Sequence, residues 1–235
     1  MTAGFALIAA VVFISAFVQG STSMGFALIL VPVLALMQPD MIPGALLYLM
    51  LPLNAYVALR ERRDIDFHGA GWITFGRLFG TFAGLWVLLI LSSYWLNMVV
   101  GISTILAVAA SLLAPEFTPG RKALTLTGLV TGITETATGI GGPPLALAYQ
   151  HAPVSRLRST VALCFLVGEI ISLVVLVASG SIGFKHLEFA LWCSPALLAG
   201  MLASHLVHAR LNQRALRLGV LLFAAVSGVV VILAQ

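Results

Sequence analysis

Long apolar runs constrain this chain more than any other feature. Segments 42–59, 70–91, 94–113, 158–179, 187–208 and 213–234 carry few charges and approach the length of a bilayer-spanning helix, which is about 20 residues. The composition agrees: 60% of residues are hydrophobic and 9% are charged, against about 25% charged in a soluble domain. Too few polar groups exist to cover the surface in water, so lipid must be the main solvent. Strands of a transmembrane barrel would alternate polar and apolar residues; Leu85–Leu91 and Ala215–Ala234 do not alternate. The expected fold class is an all-α polytopic membrane protein.

The formal net charge of +4 does not point to nucleic acid. The basic residues sit in short loops between apolar segments, which is the pattern that orients membrane proteins. Cys164 and Cys193 both lie inside apolar segments and read as small buried hydrophobes rather than a disulfide framework. The N-terminal run "MTAGFALIAAVVFISAFVQG" has no basic stretch before it, so it is expected to stay in the mature fold rather than act as a cleaved signal. His68, His151, His186, His205 and His208 are scattered, without Cys or carboxylate partners at metal-binding spacing. There is no phosphate-binding Walker sequence and no nucleophile–base set. The reading is therefore of a protein that is not an enzyme and needs no cofactor and no metal.

The remaining apolar segments fit a span less easily. They form two pairs, 3–19 with 26–37 and 123–137 with 143–150, interrupted by "QGSTSMG" at 19–25 and "TATGIGGPP" at 136–144. A shift of 112 positions aligns Gly20 with Gly132, Thr22 with Thr134, Pro32 with Pro144 and Gln38 with Gln150; with small gaps, Gly84 aligns with Gly200, Asn97 with Asn212 and Gly101 with Gly219. The expectation is a duplicated unit: an N-terminal transmembrane repeat over 1–113 and a C-terminal one over 123–235, joined by the polar linker 114–122.

Charge tests the orientation. Loop cations are Arg60, Arg62, Arg63, Arg121, Lys122, Arg156, Arg158, Lys185, Arg210, Arg214 and Arg217. Four full crossings per half would leave them without a sidedness. If the 123–150 pair enters and leaves by one face, every cluster except Lys185 falls on that face, which is then cytoplasmic. Each half becomes three spanning helices plus one broken, re-entrant helical hairpin, and the halves run in opposite directions. Inverted repeats with broken helices at the midplane are a transporter architecture. Charge leaves open whether 3–37 re-enters or crosses, because its flanks carry no Lys or Arg.

The two breaks are the candidate site. Irregular backbone at membrane depth survives only inside protein or beside a watery cavity. Pro143 and Pro144 suit the first turn of a helix, so 143–150 should start at the protein centre, as should 26–37 from Gly25. Two helix N-termini near the midplane offer unpaired N–H groups and partial positive charge, an anion site built from backbone. The candidate substrate-binding residues are Gly20, Ser21, Thr22, Ser23, Gly25, Thr134, Thr138, Gly139, Gly141, Gly142 and Pro143, with Thr136 as a further hydroxyl donor. The competing reading is a pair of kinks whose hydroxyls bond their own backbone. Glu135 lies in the second break, Glu169 mid-segment in "CFLVGEIISL" and Arg77 in "ITFGRLFGTF"; charges at this depth must face protein or water. Glu135 and Glu169 are candidate proton carriers, because protonation removes repulsion toward an anion; each can instead be a neutral structural acid. Arg77 is a candidate counter-charge for the substrate, a partner for Glu169, or a side chain that snorkels to an interface.

With "FVQGSTSMGFALILVPVLALM" at 17–37 and "GLVTGITETATGIGGPPLALAYQ" at 128–150, the chain resembles the sulfite exporter TauE/SafE family over essentially its whole length. "GIGGPP" is the more specific motif; Ser21–Gly25 carries hydroxyls and Met24 where the family has more glycines. The resemblance implies a carrier in the bacterial inner (plasma) membrane that exports a small anion such as sulfite, a sulfonate or a related organic acid. The resulting expectation is a secondary transporter with alternating access and proton coupling, whose partners are its anion and the bilayer. A passive anion channel and a non-transporting assembly factor are the alternatives, and the oligomeric state is left open.

Overall fold

The computed structural model describes residues 2–22, 25–92, 119–207 and 213–233, together with the pairs 94–95, 98–99, 101–102, 105–106 and 108–109. Its long elements are helices: α1 (Thr2–Thr22), α2 (Phe26–Met37), α3 (Gly44–Arg60), α4 (Phe67–Ile90), α5 (Arg121–Thr138), α6 (Gly142–Tyr149), α7 (Val154–Ala178), α8 (Phe184–Val207) and α9 (Gln213–Leu233). No strand occurs among the described residues. The protein is an all-α, multi-pass membrane protein. Gly4–Thr22, Phe67–Ile90, Val154–Ala178 and Phe184–Leu206 are long and apolar enough to cross a bilayer. Trp86, Phe184, Leu222 and Leu233 are among many large apolar side chains that face outward, as a lipid-facing surface requires.

Most helix bounds differ from the apolar segments by a few residues, and three differences matter. Half of the expected span 94–113 falls outside the described residues, and so does most of the linker. Arg121 and Lys122, read as linker, form the first turn of α5. The first break is shorter than "QGSTSMG": α1 runs on through Gly20, Ser21 and Thr22. The reason is local. Ser21 Oγ and Thr22 Oγ1 donate to the carbonyls of Phe17 and Val18 at 2.8 and 3.0 Å, so the hydroxyls are satisfied within the helix and do not require it to end. The chain turns at Gly25, whose φ of 116° is open to glycine and costly for other residues. With that last turn added, α1 reaches spanning length.

The hairpin α1–α2 packs on α8 and α9, and the hairpin α5–α6 packs on α4 and α7. Both long arms use small residues to bring backbones close, as membrane helices do. Gly76, Gly80 and Gly84 of α4 lie against Gly132 and neighbouring backbone of α5, and Gly128 of α5 lies against the Ile73 backbone of α4, while Gly200 of α8 lies against Phe13 and Ala16 of α1 and Gly20 against Ser204. In this register Gly132 sits by Gly80 and Gly20 by Ser204.

The contacts define two ends of the bundle. At one, Gly4 touches Met37, and His186 Nε2 donates to the carbonyl of Asp40 at 3.0 Å; Lys185 follows here at the start of α8. At the other, Arg60 and Arg158 both reach Glu61, at 2.8 and 3.1 Å, Tyr149 donates to Asp66 at 3.0 Å, and Arg121 stacks over Trp72. The α1–α2 hairpin therefore opens at the first end and α5–α6 at the second.

Candidate functional site

Both hairpins turn on a glycine with positive φ, Gly25 at 116° and Gly139 at 79°, and each short arm starts with its first amides pointing inward. The two starts are handled differently. At α2, the N–H of Phe26 donates to Gln19 Oε1 at 3.1 Å. At α6, no side chain caps the helix; instead the Glu135 carboxyl group lies so close to Gly141 that a β-carbon there would overlap it. Gly141 is thus the space that lets a carboxylate sit at the start of α6.

The centre of the protein holds a polar cluster drawn from α1, α3, α4, α5 and α7. Arg77, Glu135 and Glu169 are fully buried, with Asn54 and Gln19 almost so. Arg77 leaves α4 and passes over Gly168 of α7, where any β-carbon would occupy the space of its guanidinium. Its Nη1 donates to the carbonyl of Cys164 at 3.0 Å, and its Nη2 lies 2.8 Å from Glu135 Oε2. The two form a buried ion pair, while Arg77 Nε has no hydrogen-bond acceptor and Glu135 Oε1 has no donor. Arg77 accordingly pairs with Glu135, not with Glu169, and does not snorkel; glycine on α7 gives it a path inward. Glu169 Oε1 accepts from Asn54 Nδ2 at 2.7 Å, and Asn54 Oδ1 accepts from Gln19 Nε2 at 3.3 Å. Glu169 Oε2 has no partner.

This arrangement can hold an anion. A buried guanidinium whose Nε lacks an acceptor sits beside an uncapped helix start, and a buried donor without a partner costs about 1–3 kcal/mol. The cluster is also unbalanced: one cation faces two carboxyl groups, so with both ionised the site is one negative charge in excess. Uncompensated charge at zero exposure is costly.

The predicted residues divide. Gly139, Gly141 and Glu135 meet at the second break, and Arg77 and Glu169 lie beside them. Gly25 forms the first turn, Pro143 stands in the first turn of α6, and Ser23 lies outside the described residues. The hydroxyls of Ser21, Thr22, Thr134 and Thr138 each donate to a carbonyl one turn back in their own helix, and Ser21 also contacts Ser204. Thr138 Oγ1 additionally receives the N–H of Ile140 at 3.3 Å, and Thr136 bonds Ser172. The Gly20 carbonyl, at the end of α1, accepts from Arg158 at 3.1 Å. Sequence reasoning passed over Gln19 and Asn54 as functional residues. The available signal was an amide inside an apolar helix, as in "LMLPLNAYVAL", which must find polar partners in the interior.

A cavity of about 480 Å³, lined in part by Phe5, Gln38, Lys185 and Trp192, opens at the outer end of the α1–α2 hairpin. It is remote from the buried charges. Among the described residues no three His, Cys, Asp or Glu side chains come together to hold a metal ion.

Comparison with known proteins adds one match. The family model described as Sulfite exporter TauE/SafE matches residues 7–231. No curated protein and no solved structure matches the chain.

Proposed function

The chain belongs to the sulfite exporter TauE/SafE family, and from that premise we propose that it is a secondary carrier that exports a small anion, such as sulfite, a sulfonate or a related organic acid, across the bacterial inner membrane. The observation that carries this reading is Arg77: fully buried, with Nε lacking an acceptor, next to the uncapped start of α6. The substrate anion binds there, between the Arg77 guanidinium and the amides at Gly141 and Gly142, with the start of α2 on its other side. Glu135 occupies this space when the site is empty. A proton on Glu135 cancels its charge, releases Arg77 and admits the anion, so proton and anion move together.

The two halves are inverted repeats in this reading. Their hairpins opening at opposite ends and their parallel use of small residues against α4 and α8 support it. Rocking one repeat against the other exposes the site alternately to each face, with the Arg60–Arg158 end cytoplasmic.

Purified protein in proteoliposomes tests this. Saturable, slow exchange of sulfite or sulfonates supports the carrier. Single-channel currents would replace it by a passive channel, and absence of flux together with a stably crosslinked partner protein would replace it by an assembly role. Glu135→Gln should remove the pH dependence of flux; unchanged pH dependence removes Glu135 from the coupling.

A further inference from the structure

A hydrogen-bonded chain joins Glu169 on α7 to the first amide of α2. Asn54 Nδ2 donates to Glu169 Oε1 (2.7 Å), Gln19 Nε2 donates to Asn54 Oδ1 (3.3 Å), and the N–H of Phe26 donates to Gln19 Oε1 (3.1 Å). All of these side chains are buried, so bulk water does not compete for their bonds. Each side-chain amide donates with one end and accepts with the other. The polarity of the whole chain is therefore set at its carboxyl end.

An ionised carboxylate only accepts. It turns the Asn54 NH2 toward Glu169, which turns Asn54 Oδ1 toward Gln19 and Gln19 Oε1 onto the Phe26 N–H. A proton on Glu169 Oε2, the oxygen without a partner, adds a donor that must find an acceptor in a dry interior. The residue already bonded to this carboxyl group carries one, Asn54 Oδ1. Turning Oδ1 to the acid makes a two-bond acid–amide pair and breaks the Gln19–Asn54 bond, at 3.3 Å the longest of the three. Gln19 then has an unmatched NH2 and must reorient, which uncaps Phe26. A helix's first free amides are where its dipole attracts an anion.

We propose that Asn54 and Gln19 are positioning residues that couple a proton on Glu169 to anion binding at the start of α2. This rests on the anion-carrier reading and adds to it a second proton site with its own route to the substrate. The coupling is reciprocal, as all linked binding is. Other groups facing Glu169 are Arg77 from α4 and Glu135 from α5, whose charges act on it, and Asn54 from α3. On α6 the titratable side chain is Tyr149, which is bonded to Asp66 at the far end of the bundle.

The test is binding of methanesulfonate, a monoanion in acidic and alkaline buffers alike, to the purified full chain, read by thermal stabilisation. Wild type should bind about tenfold more tightly in acid, within the usual range for linked sites. Gln19→Met should leave Phe26 uncapped at every pH, so binding stays tight and its pH dependence falls to about threefold or less, the remainder belonging to Glu135. Asn54→Leu should flatten the profile in the same way. Should Asn54→Leu fail to fold because Glu169 loses its partner, Gln19→Met carries the test, since it does not touch the carboxyl group. Binding by Gln19→Met with the wild-type pH dependence overturns the relay while leaving the carrier reading intact. Absence of methanesulfonate and sulfite binding to wild type at any pH overturns the carrier reading and the relay together.

Discussion

Replacing Arg77 with methionine removes the cation and keeps an apolar side chain of similar reach. Arg77 is fully buried, 2.8 Å from Glu135 and bonded to the Cys164 carbonyl. Removing one member of a buried ion pair costs about 3–5 kcal/mol, because the other charge is left without compensation. For a chain of this size about 1 kcal/mol moves the melting point by about 2–4 °C, so Arg77→Met should lose about 6–20 °C. Cys164 and Cys193 are both buried, and a thiol-reactive dye in detergent therefore reports unfolding. The double variant Arg77→Met, Glu135→Leu removes both charges, and such replacements are often neutral. It should recover most of the loss, to within about 1 kcal/mol of wild type. If Arg77→Met melts within about 2 °C of wild type, or if the double variant is no better than the single, the Arg77–Glu135 pairing is not what holds this part of the structure together.

Gly168→Val places carbon atoms where the Arg77 guanidinium lies, so its melting curve should shift about as far as that of Arg77→Met; a wild-type curve would mean that Arg77 has another path. Gly139→Val forces a branched side chain into φ near +79° and should cost at least about 1–2 kcal/mol in the same dye assay, since the turn between α5 and α6 depends on that conformation. Gly141→Val intrudes on the Glu135 carboxyl group at the start of α6 and should abolish flux in proteoliposomes while membrane insertion, checked by fractionation, stays intact. Tyr149→Phe removes the 3.0 Å bond that ties the end of α6 to Asp66 and should cost about 1.5–3 kcal/mol, as for a bond to a charged acceptor; no change in melting would mean that packing alone anchors α6.

Much of the architecture was legible because it depends on short-range physics. Whether a segment such as 158–179 can cross a bilayer depends on its own length and polarity. "GIGGPP" breaks a helix through dihedral limits that glycine and proline carry wherever they occur. The error at the first break has the same root in reverse. Gly20, Ser21 and Thr22 read as breakers, yet in a dry interior hydroxyls satisfy themselves on carbonyls one turn back and the helix continues to Thr22. Among the described residues of this break, Gly25 takes the positive φ at which the chain turns.

The site was legible in kind and not in connection. Arg77, Glu135 and Glu169 could be picked out singly, because charges in apolar runs are costly anywhere. Sequence alone left three roles open for Arg77. The choice fell to Gly168, a residue far along the chain on α7, whose missing side chain gives the guanidinium its space beside Glu135. Likewise nothing local links Gln19, Asn54 and Glu169; α1, α3 and α7 must pack before their amides and carboxyl group can meet. The sequence by itself determined that this chain lives in a membrane, roughly where its helices run, and that the second break falls at Gly139–Pro144. Tertiary structure decided which buried charges pair and which helix start is capped, because those outcomes depend on distances between elements, and no single segment contains them.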